Sequence, residues 1–244
     1  QAGEVVAVTA DALCDLGSLR LADVGVAMGS GCGTVRRNGD VEALDDSLGC
    51  VITSILWGRC LHSITRRFVR FQVTTVAMTA VVTFLGVLVT PNAVWPLTVA
   101  QLLWLSLLAD GLAAFVLATD LSDVDAAHEP QHKTAPLMSN QMWRQTASEA
   151  LFQTLLLLTV ATSYGAAWFG VPQGSRQHTA VLGNLFLLLP LLHLLACRRD
   201  PARDEAAYLR GSTAFWALAG AAFALQLLGT QCAPDHMGTV PLSF

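Results

Sequence analysis

Residues 98–118 read TVAQLLWLSLLADGLAAFVLA, an apolar run in which Asp110 is the only ionisable side chain. An α-helix rises about 1.5 Å per residue, so a run of about 20 residues crosses a hydrocarbon layer about 30 Å thick. A helix of a soluble protein would be interrupted by charged residues every few positions. This stretch therefore predicts a helix that spans a membrane.

The whole chain has the composition of a membrane protein. Hydrophobic residues make up 53% of its 244 residues and charged residues 13%, with a mean hydropathy of +0.52. One soluble core of this size does not bury so much apolar side chain. The predicted fold class is mainly α, a multi-pass transmembrane bundle of about five helices. The predicted spans cover about 71–90, 98–118, 151–170, 179–196 and 212–230.

Basic residues are distributed unevenly around these spans. Of the 14 Lys and Arg residues, 13 fall before the first span, between the second and third, or between the fourth and fifth, and only Arg176 falls on the other side. Short loops rich in Lys and Arg stay in the cytoplasm, so we expect a cytoplasmic N-terminus and an external C-terminus. The odd number of spans suggests a missing partner helix. Because these charges lie beside the bilayer, we expect membrane lipid and no nucleic acid as a partner.

The cysteines and the N-terminus narrow the class of protein further. The six cysteines show no metal-ligand spacing and are predicted to be free thiols. The chain starts at Gln1 without a signal peptide, so we expect it to be part of a longer protein.

Residues 1–45 differ in kind from the spans, because they are mixed in polarity and rich in glycine. Val5–Thr9 and Val24–Met28 are predicted strands, with one or two helical turns at Gly17–Ala22 between them. This order is typical of one unit of a parallel α/β sheet.

Three further segments complete the predicted organisation. Apolar residues at helical spacing predict a stalk helix over residues 46–70, which leads into the first span. A polar cytoplasmic loop is predicted from Asp120 to about Glu149, and an external tail over residues 231–244.

Asp110 is the first candidate for chemistry. An ionised carboxylate in the middle of a transmembrane helix costs roughly 2.5–3.5 kcal/mol, so we expect a compensating group. Ser106 lies one turn earlier on the same helical face, and both side chains offer oxygen to a cation or a proton. The alternative is a protonated Asp110 that hydrogen-bonds threonine hydroxyls and holds helices together. The polar stripe expected to face Asp110 consists of Gln72, Thr75, Thr79 and Thr83.

Asp11 and Asp15 are the second candidates, since they follow a predicted strand. Carboxylates at the carboxyl end of a parallel strand commonly hold Mg²⁺ near a phosphate. The alternative is an ordinary solvated turn, in which Asp is also common. His193, which lies among leucines, is predicted to be a hydrogen-bonded interior side chain rather than a ligand.

Two stretches of this N-terminal segment carry a spaced motif. Residues 5–15 read VVAVTADALCD, Leu19 follows, and residues 22–29 read ADVGVAMG. They resemble the hinge of P-type ATPases, whose family pattern is T-G-D-G-x-N-D-x-x-x-L and then A-D-V-G-x-A-M-G, and the spacing matches without gaps. The continuation is similar to calcium pumps of the plasma-membrane type at Asp45–Asp46, Trp57–Arg59, Phe71–Gln72, Gln101–Trp104, Asp110, Ala118–Thr119 and Ala135–Leu137.

The resemblance implies the C-terminal third of such a pump, with the end of a haloacid-dehalogenase-like phosphorylation domain and then transmembrane helices five to nine without the tenth. It implies that Asp11 helps to hold a catalytic Mg²⁺ with Asp15 in support, and that Ser106 and Asp110 bind the transported Ca²⁺. ATP would be bound by N-terminal pump domains outside this chain. The expected membrane is the plasma membrane or that of a vacuole-like organelle.

Several residues depart from the family pattern. Both hinge glycines are replaced, by Ala10 and Ala12, and the Asn of the motif by Cys14. A methyl group can block the close backbone approach that glycine allows. The Asn expected in the fifth helix falls at Val76, which cannot coordinate a cation, and Ser106 stands where the sixth helix carries Asn.

Three hypotheses for function follow. The first is a segment of a calcium pump whose Asp110 and Ser106 contribute to the ion path. The D-K-T-G-T sequence and the nucleotide-binding domain are not in these residues, so we expect no ATP hydrolysis by this chain alone. The second is a degenerate pump homologue that acts as a membrane scaffold or regulator. The third, a secondary transporter or channel, is disfavoured because residues 5–29 would then have no purpose.

Overall fold

The computed structural model describes residues 5–89, 97–119, 136–198 and 213–232. Three segments lie outside these ranges: residues 91–96 between the first two predicted spans, residues 120–135 of the predicted loop, and residues 233–244 of the predicted tail. The chain divides into two compact units, residues 1–63 with 121–137 and residues 64–120 with 138–244. Each unit is described by itself.

The first unit contains a three-stranded, all-parallel sheet in the order β1-β2-β3. The predicted strand Val24–Met28 is confirmed as β2, and β1 starts two residues later than predicted. Helix α2 and strand β3 were not predicted, because their runs are too short to show a period. The elements are β1 (Ala7–Ala10), α1 (Leu16–Leu21), β2 (Val24–Met28), α2 (Gly33–Asn38) and β3 (Val41–Ala43).

A small apolar core holds this sheet against its helices. It contains Ala10, Leu19, Ala27 and Val35, each at most 3% exposed. The motif glycines are needed for close approach, since a Cβ added at Gly29 would lie 2.7 Å from the Leu44 carbonyl oxygen. Any side chain at Gly29 would therefore displace the backbone beside β3.

Helix α3 runs without interruption from Leu48 to Val89, a length of 42 residues. At about 1.5 Å per residue it is roughly 63 Å long, about twice the thickness of a hydrocarbon layer. This length agrees with a stalk that continues into a span. The predicted boundary between residues 70 and 71 corresponds to no break in the helix.

The helices of the second unit pack around one core. After α3 come α4 (Val99–Thr119), α5 (Asn140–Ala161), α6 (Ser163–Trp168), α7 (Arg176–Arg198) and α8 (Thr213–Cys232). Helix α4 packs against α7 and α8, α5 against α6 and α7, and α7 against α8. The most deeply buried large side chains of this core include Phe71, Met78, Leu117, Leu157, Leu187 and Leu194.

Three helices within the described ranges are long and apolar enough to span a membrane. They are Leu48–Leu88, Val99–Ala118 and Arg176–Arg198, and a shorter apolar helix covers Phe215–Gly229. These confirm a multi-pass helical domain. The number five stays a prediction, because α5 carries too many polar residues in its first half to reach the same hydropathy.

Helix α5 differs from the sequence prediction at both ends. It begins at Asn140, where the Ser139 hydroxyl accepts a hydrogen bond from the Met142 N–H at 3.3 Å, so the predicted loop is wrong for residues 140–149. It ends at Ala161 rather than continuing to Gly170, because Thr162 is extended and its hydroxyl donates to the Thr159 carbonyl at 2.6 Å. A hydroxyl that bonds the preceding turn offers the backbone an alternative to the helix.

Candidate cation site

Asp110 lies in the middle of α4, between an exposed and a buried face. Leu103, Leu107 and Phe115 form the exposed face, with 67%, 66% and 58% of each side chain accessible. Leu105 and Ala109, on the other face, are buried in the core. Asp110 is half-buried. Its carboxylate therefore lies at the edge of the bundle interior, between the exposed face and the buried face of α4.

The carboxylate of Asp110 meets the side-chain amide of Gln72 from α3. Gln72 Nε2 donates to Asp110 Oδ2 at 3.3 Å. The other carboxylate oxygen, Oδ1, and the amide oxygen of Gln72 are both buried and have no hydrogen-bond partner within the described residues. A buried oxygen without a donor is costly, so this pair presents two acceptor atoms suited to a cation or to bound water.

Two other residues of the predicted polar stripe, Thr75 and Thr83, hydrogen-bond the backbone of their own helix. Thr75 is buried and its hydroxyl donates to the Phe71 carbonyl of its own helix at 3.0 Å, and Thr83 bonds the Thr79 carbonyl in the same way. Among the described residues, Gln72 is thus the member of the stripe that bonds Asp110.

Ser106 and Val76 are the two positions at which the family resemblance leads us to expect an Asn ligand. Ser106 is half-buried one turn before Asp110, as the sequence predicts. Val76, at the position where an Asn was expected, is 55% exposed. Its side chain therefore points out of the unit and contributes nothing to a site at Asp110.

The carboxylates of the first unit are more open to solvent. Asp11 directly follows β1 and is exposed, and Asp15 ends a short 3₁₀ turn, Leu13–Asp15, and is half-buried. Within the part of the chain that the structure describes, no three His, Cys, Asp or Glu side chains are grouped to hold a metal ion. The described cysteines are free, as predicted: Cys14, Cys32, Cys50, Cys60 and Cys197.

A second polar cluster joins α3, α5 and α7. Arg70 Nη2 donates to Glu149 Oε1 at 2.7 Å, and His193 Nδ1 lies 3.1 Å from Glu149 Oε2. Burial raises the pKa of Glu149, but contact with His193 and the charge of Arg70 lower it by more, so its pKa lies below the ordinary value of 4.5. The predicted interior position of His193 is confirmed, since it is 4% exposed.

A third polar cluster joins α4, α7 and α8. Trp104 Nε1 donates to Gln226 Oε1 at 3.1 Å, and Gln226 Nε2 donates to Asn184 Oδ1 at 3.5 Å. Gln226 is 3% exposed. Three helices are thus linked through one buried carboxamide, which supplies both the acceptor and the donor.

Comparison with known protein families identifies the family of this chain. The family model described as "Cation transporting ATPase, C-terminus" matches residues 94–244, more than half of the chain. The chain belongs to this family.

Two relatives of this chain are named as calcium-transporting ATPases. It is 32% identical over 246 residues to "Calcium-transporting ATPase 7, plasma membrane-type" of Oryza sativa subsp. japonica, covering 100% of this chain and 23% of the relative. It is 31% identical over 218 residues to "Calcium-transporting ATPase 2" of Saccharomyces cerevisiae, covering 86% of this chain and 18% of the relative. The resemblance stated from the hinge and helix motifs is confirmed.

The chain spans less than a quarter of the length of these two relatives. Its membrane-spanning helices and its plasma-membrane-type relatives make it an integral membrane protein. The sequence pointed to Asp110 and to Gln72 in the polar stripe, but missed Glu149 and Gln226, which join the second and third polar clusters. Each is a polar residue in a helix that also carries apolar residues, which is the signal that could have identified them.

Proposed function

We propose that this chain supplies the membrane cation path of an ATP-driven calcium pump, with Asp110 and Ser106 as ligands of the transported ion. The observation that carries the proposal is the half-buried Asp110–Gln72 pair, in which one buried oxygen of each side chain has no partner within the described residues. Polar groups inside membrane helices are costly and mark ion pathways.

Calcium fits the chemistry of these side chains. Ca²⁺ takes six to eight oxygen ligands from carboxylates, carbonyls, hydroxyls and water. Asp110, Ser106 and the Gln72 amide supply three oxygens of suitable type on two adjacent turns of α4 and on α3. The names of the relatives, which are calcium-transporting ATPases, support calcium over other cations.

The energy would come from an aspartyl phosphate formed outside these residues. We assign the first unit to the end of a haloacid-dehalogenase-like phosphorylation domain, where Asp11 holds Mg²⁺ and Asp15 supports it. An exposed carboxylate at the carboxyl end of β1 suits Mg²⁺, which keeps several of its waters. The N-terminus would be cytoplasmic, where ATP is available, in the plasma membrane or the membrane of a vacuole-like organelle.

A degenerate homologue that serves as a scaffold or regulator is the second candidate. It is favoured by the methyl groups at Ala10 and Ala12 in the hinge, and by the outward-facing Val76. However, the methyl of Ala10 packs in the core of the first unit beside Leu19 and Ala27. The local fold thus accommodates this replacement.

The test uses the longest natural open reading frame that contains this sequence, expressed in membranes. Ca²⁺-dependent phosphoenzyme formation from ATP is measured for the natural protein, for Asp110→Asn and for Asp125→Asn, a matched change in the predicted loop. We expect Asp110→Asn alone to abolish it. Equal formation in Asp110→Asn would contradict the ligand role.

The scaffold hypothesis makes a different prediction in the same assay. The natural protein would form no phosphoenzyme at any Ca²⁺ concentration, and restoring the hinge motif with Ala10→Gly, Ala12→Gly and Cys14→Asn would not be sufficient to rescue it. Phosphoenzyme in the natural protein would exclude this alternative.

A further inference from the structure

Two consecutive residues of α3 contact two different helices. Arg70 forms the 2.7 Å ion pair with Glu149 of α5. The ring of Phe71 stacks on the imidazole of His193 of α7, with centroids 5.7 Å apart and an interplanar angle of 15°. Phe71 is 1% exposed, so this stack lies inside the bundle.

The next residue along α3 is Gln72, which donates to Asp110 of α4. Consecutive residues of an α-helix point about 100° apart. Residues 70–72 therefore contact α5, α7 and α4 in three directions around one turn. These contacts set both the rotation of α3 about its axis and its position along that axis at Gln72, the residue that bonds Asp110.

Glu149 connects the first two of these contacts. Its Oε1 accepts from Arg70, and its Oε2 lies 3.1 Å from His193 Nδ1. The side chains of Arg70 and His193 are 16% and 1% exposed, and that of Glu149 is 30% exposed. Partly buried charges are screened much less by salt than surface pairs, so salt should weaken this contact less than it weakens a surface ion pair.

We propose that Arg70, Glu149 and His193 are positioning residues that hold the Gln72 amide against Asp110 and thereby set the affinity of the cation path. They act through α3 and its neighbours and do not touch the ion. The inference rests on the proposed function of Asp110. It adds residues that affect the Ca²⁺ affinity without being ligands of the ion.

Charge reversal tests this proposal better than deletion. Removing one member of a buried pair leaves the other charge uncompensated, whereas reversing both members restores a pair. Arg70→Glu, Glu149→Arg and the double reversal are made in the longest natural open reading frame that contains this sequence. Arg36→Glu, at the exposed Arg36–Glu42 pair with an N–O distance of 3.2 Å, is the matched control.

Two quantities are measured for each variant: the Ca²⁺ concentration that gives half-maximal equilibrium binding of ⁴⁵Ca²⁺ to the membranes, and the rate of ⁴⁵Ca²⁺ uptake into vesicles at saturating Ca²⁺. Each single reversal is expected to raise the half-saturating concentration about tenfold while changing the saturating rate by less than about twofold. The double reversal should recover the part of this loss that comes from the Arg70–Glu149 pair but not the part from the Glu149–His193 contact, and Arg36→Glu should cause none.

The outcomes separate the two proposals. Unchanged half-saturating Ca²⁺ in both single reversals, with transport lost in Asp110→Asn, overturns the positioning proposal alone. Unchanged transport in Asp110→Asn overturns the proposed function itself. If the reversals do not fold, Glu149→Gln, which keeps the shape of the side chain, is measured in the same way, and its melting temperature is recorded. A lower melting temperature with an unchanged half-saturating concentration would then show a merely structural role and overturn the proposal.

Discussion

Gln72 on α3 and Asp110 on α4, 38 residues apart in sequence, are joined by a side-chain hydrogen bond with Nε2 3.3 Å from Oδ2. Gln72 thus orients a carboxylate that sits in the middle of an apolar helix. Because the amide donates through its nitrogen, its own oxygen and Asp110 Oδ1 both remain without a hydrogen-bond partner among the described residues. The pair therefore offers two acceptor oxygens, one from each helix.

Replacing this donor should weaken cation binding. Gln72→Leu removes the hydrogen bond to Asp110 and one oxygen, and hydrogen bonds to charged groups contribute about 1.5–3 kcal/mol. We expect the half-saturating Ca²⁺ concentration for uptake to rise by at least about tenfold. Gln145→Leu, the same change at an exposed position of α5, is the control. Equal affinity in the two variants would show that Gln72 is no part of the site.

Two substitutions of Ser106 should change the Ca²⁺ affinity in opposite directions. Ser106→Ala removes one oxygen from the turn before Asp110, and we expect it to weaken Ca²⁺ binding by ~1 kcal/mol. Ser106→Asn supplies a longer carboxamide oxygen, the group that the family resemblance places here, and should strengthen binding. Both are measured by the Ca²⁺ dependence of uptake. Two variants that shift affinity in the same direction would contradict a ligand role for Ser106.

The Trp104–Gln226–Asn184 cluster should contribute to stability rather than to transport. Gln226→Leu leaves the Trp104 N–H without its acceptor, and hydrogen bonds between membrane helices contribute about 0.6–1.7 kcal/mol. We expect a loss of this size in the free energy of unfolding in detergent. Trp104→Phe combined with Gln226→Leu should cost less than the sum of the single changes. Strict additivity would mean that the two side chains do not interact.

The pKa of Glu149 predicts how the stability of the protein responds to acid. Glu149 precedes the predicted span that starts at Leu151. Its pKa in the folded protein lies below 4.5, so the folded state binds this proton more weakly than the unfolded chain. The stabilisation is complete above pH 4.5 and is lost as the pH falls through the folded pKa. The melting temperature of the natural protein should decline in this acid range, and that of Glu149→Gln should decline less. A parallel decline in both would contradict this assignment.

The spans that were predicted most accurately are those with continuous apolar runs. The predicted spans 98–118, 179–196 and 212–230 correspond to α4, α7 and α8 within a few residues at each end. In these helices the apolar character alone decides the structure. Strand β2 was predicted for the same reason, since its five residues form one apolar segment.

Helix α5 could not be predicted in the same way. Residues 140–149 are polar, and they become helical because Ser139 caps the helix and because Glu149 finds Arg70, 79 residues away in sequence. A pattern confined to a local window does not show such a partner. The break at Thr162 depends on hydroxyl bonds to the preceding turn, which the apolar run conceals.

Asp110 and Ser106 were predicted as ligands from one charged residue in an apolar helix and from the family resemblance. That role stays a prediction. That Gln72 bonds Asp110, while Thr75 bonds its own backbone, depends on the rotation of α3 about its axis. Sequence spacing defines a helical face but not the neighbour that it meets.

The three adjacent contacts of α3 at residues 70–72 have a mechanical consequence. A turn of this helix by one residue, about 100°, would break the ion pair, the ring stack and the amide bond simultaneously. Each partial rotation would likewise leave a charge, a ring or an amide without its neighbour. The three contacts therefore favour one rotational setting of helix α3 at these residues.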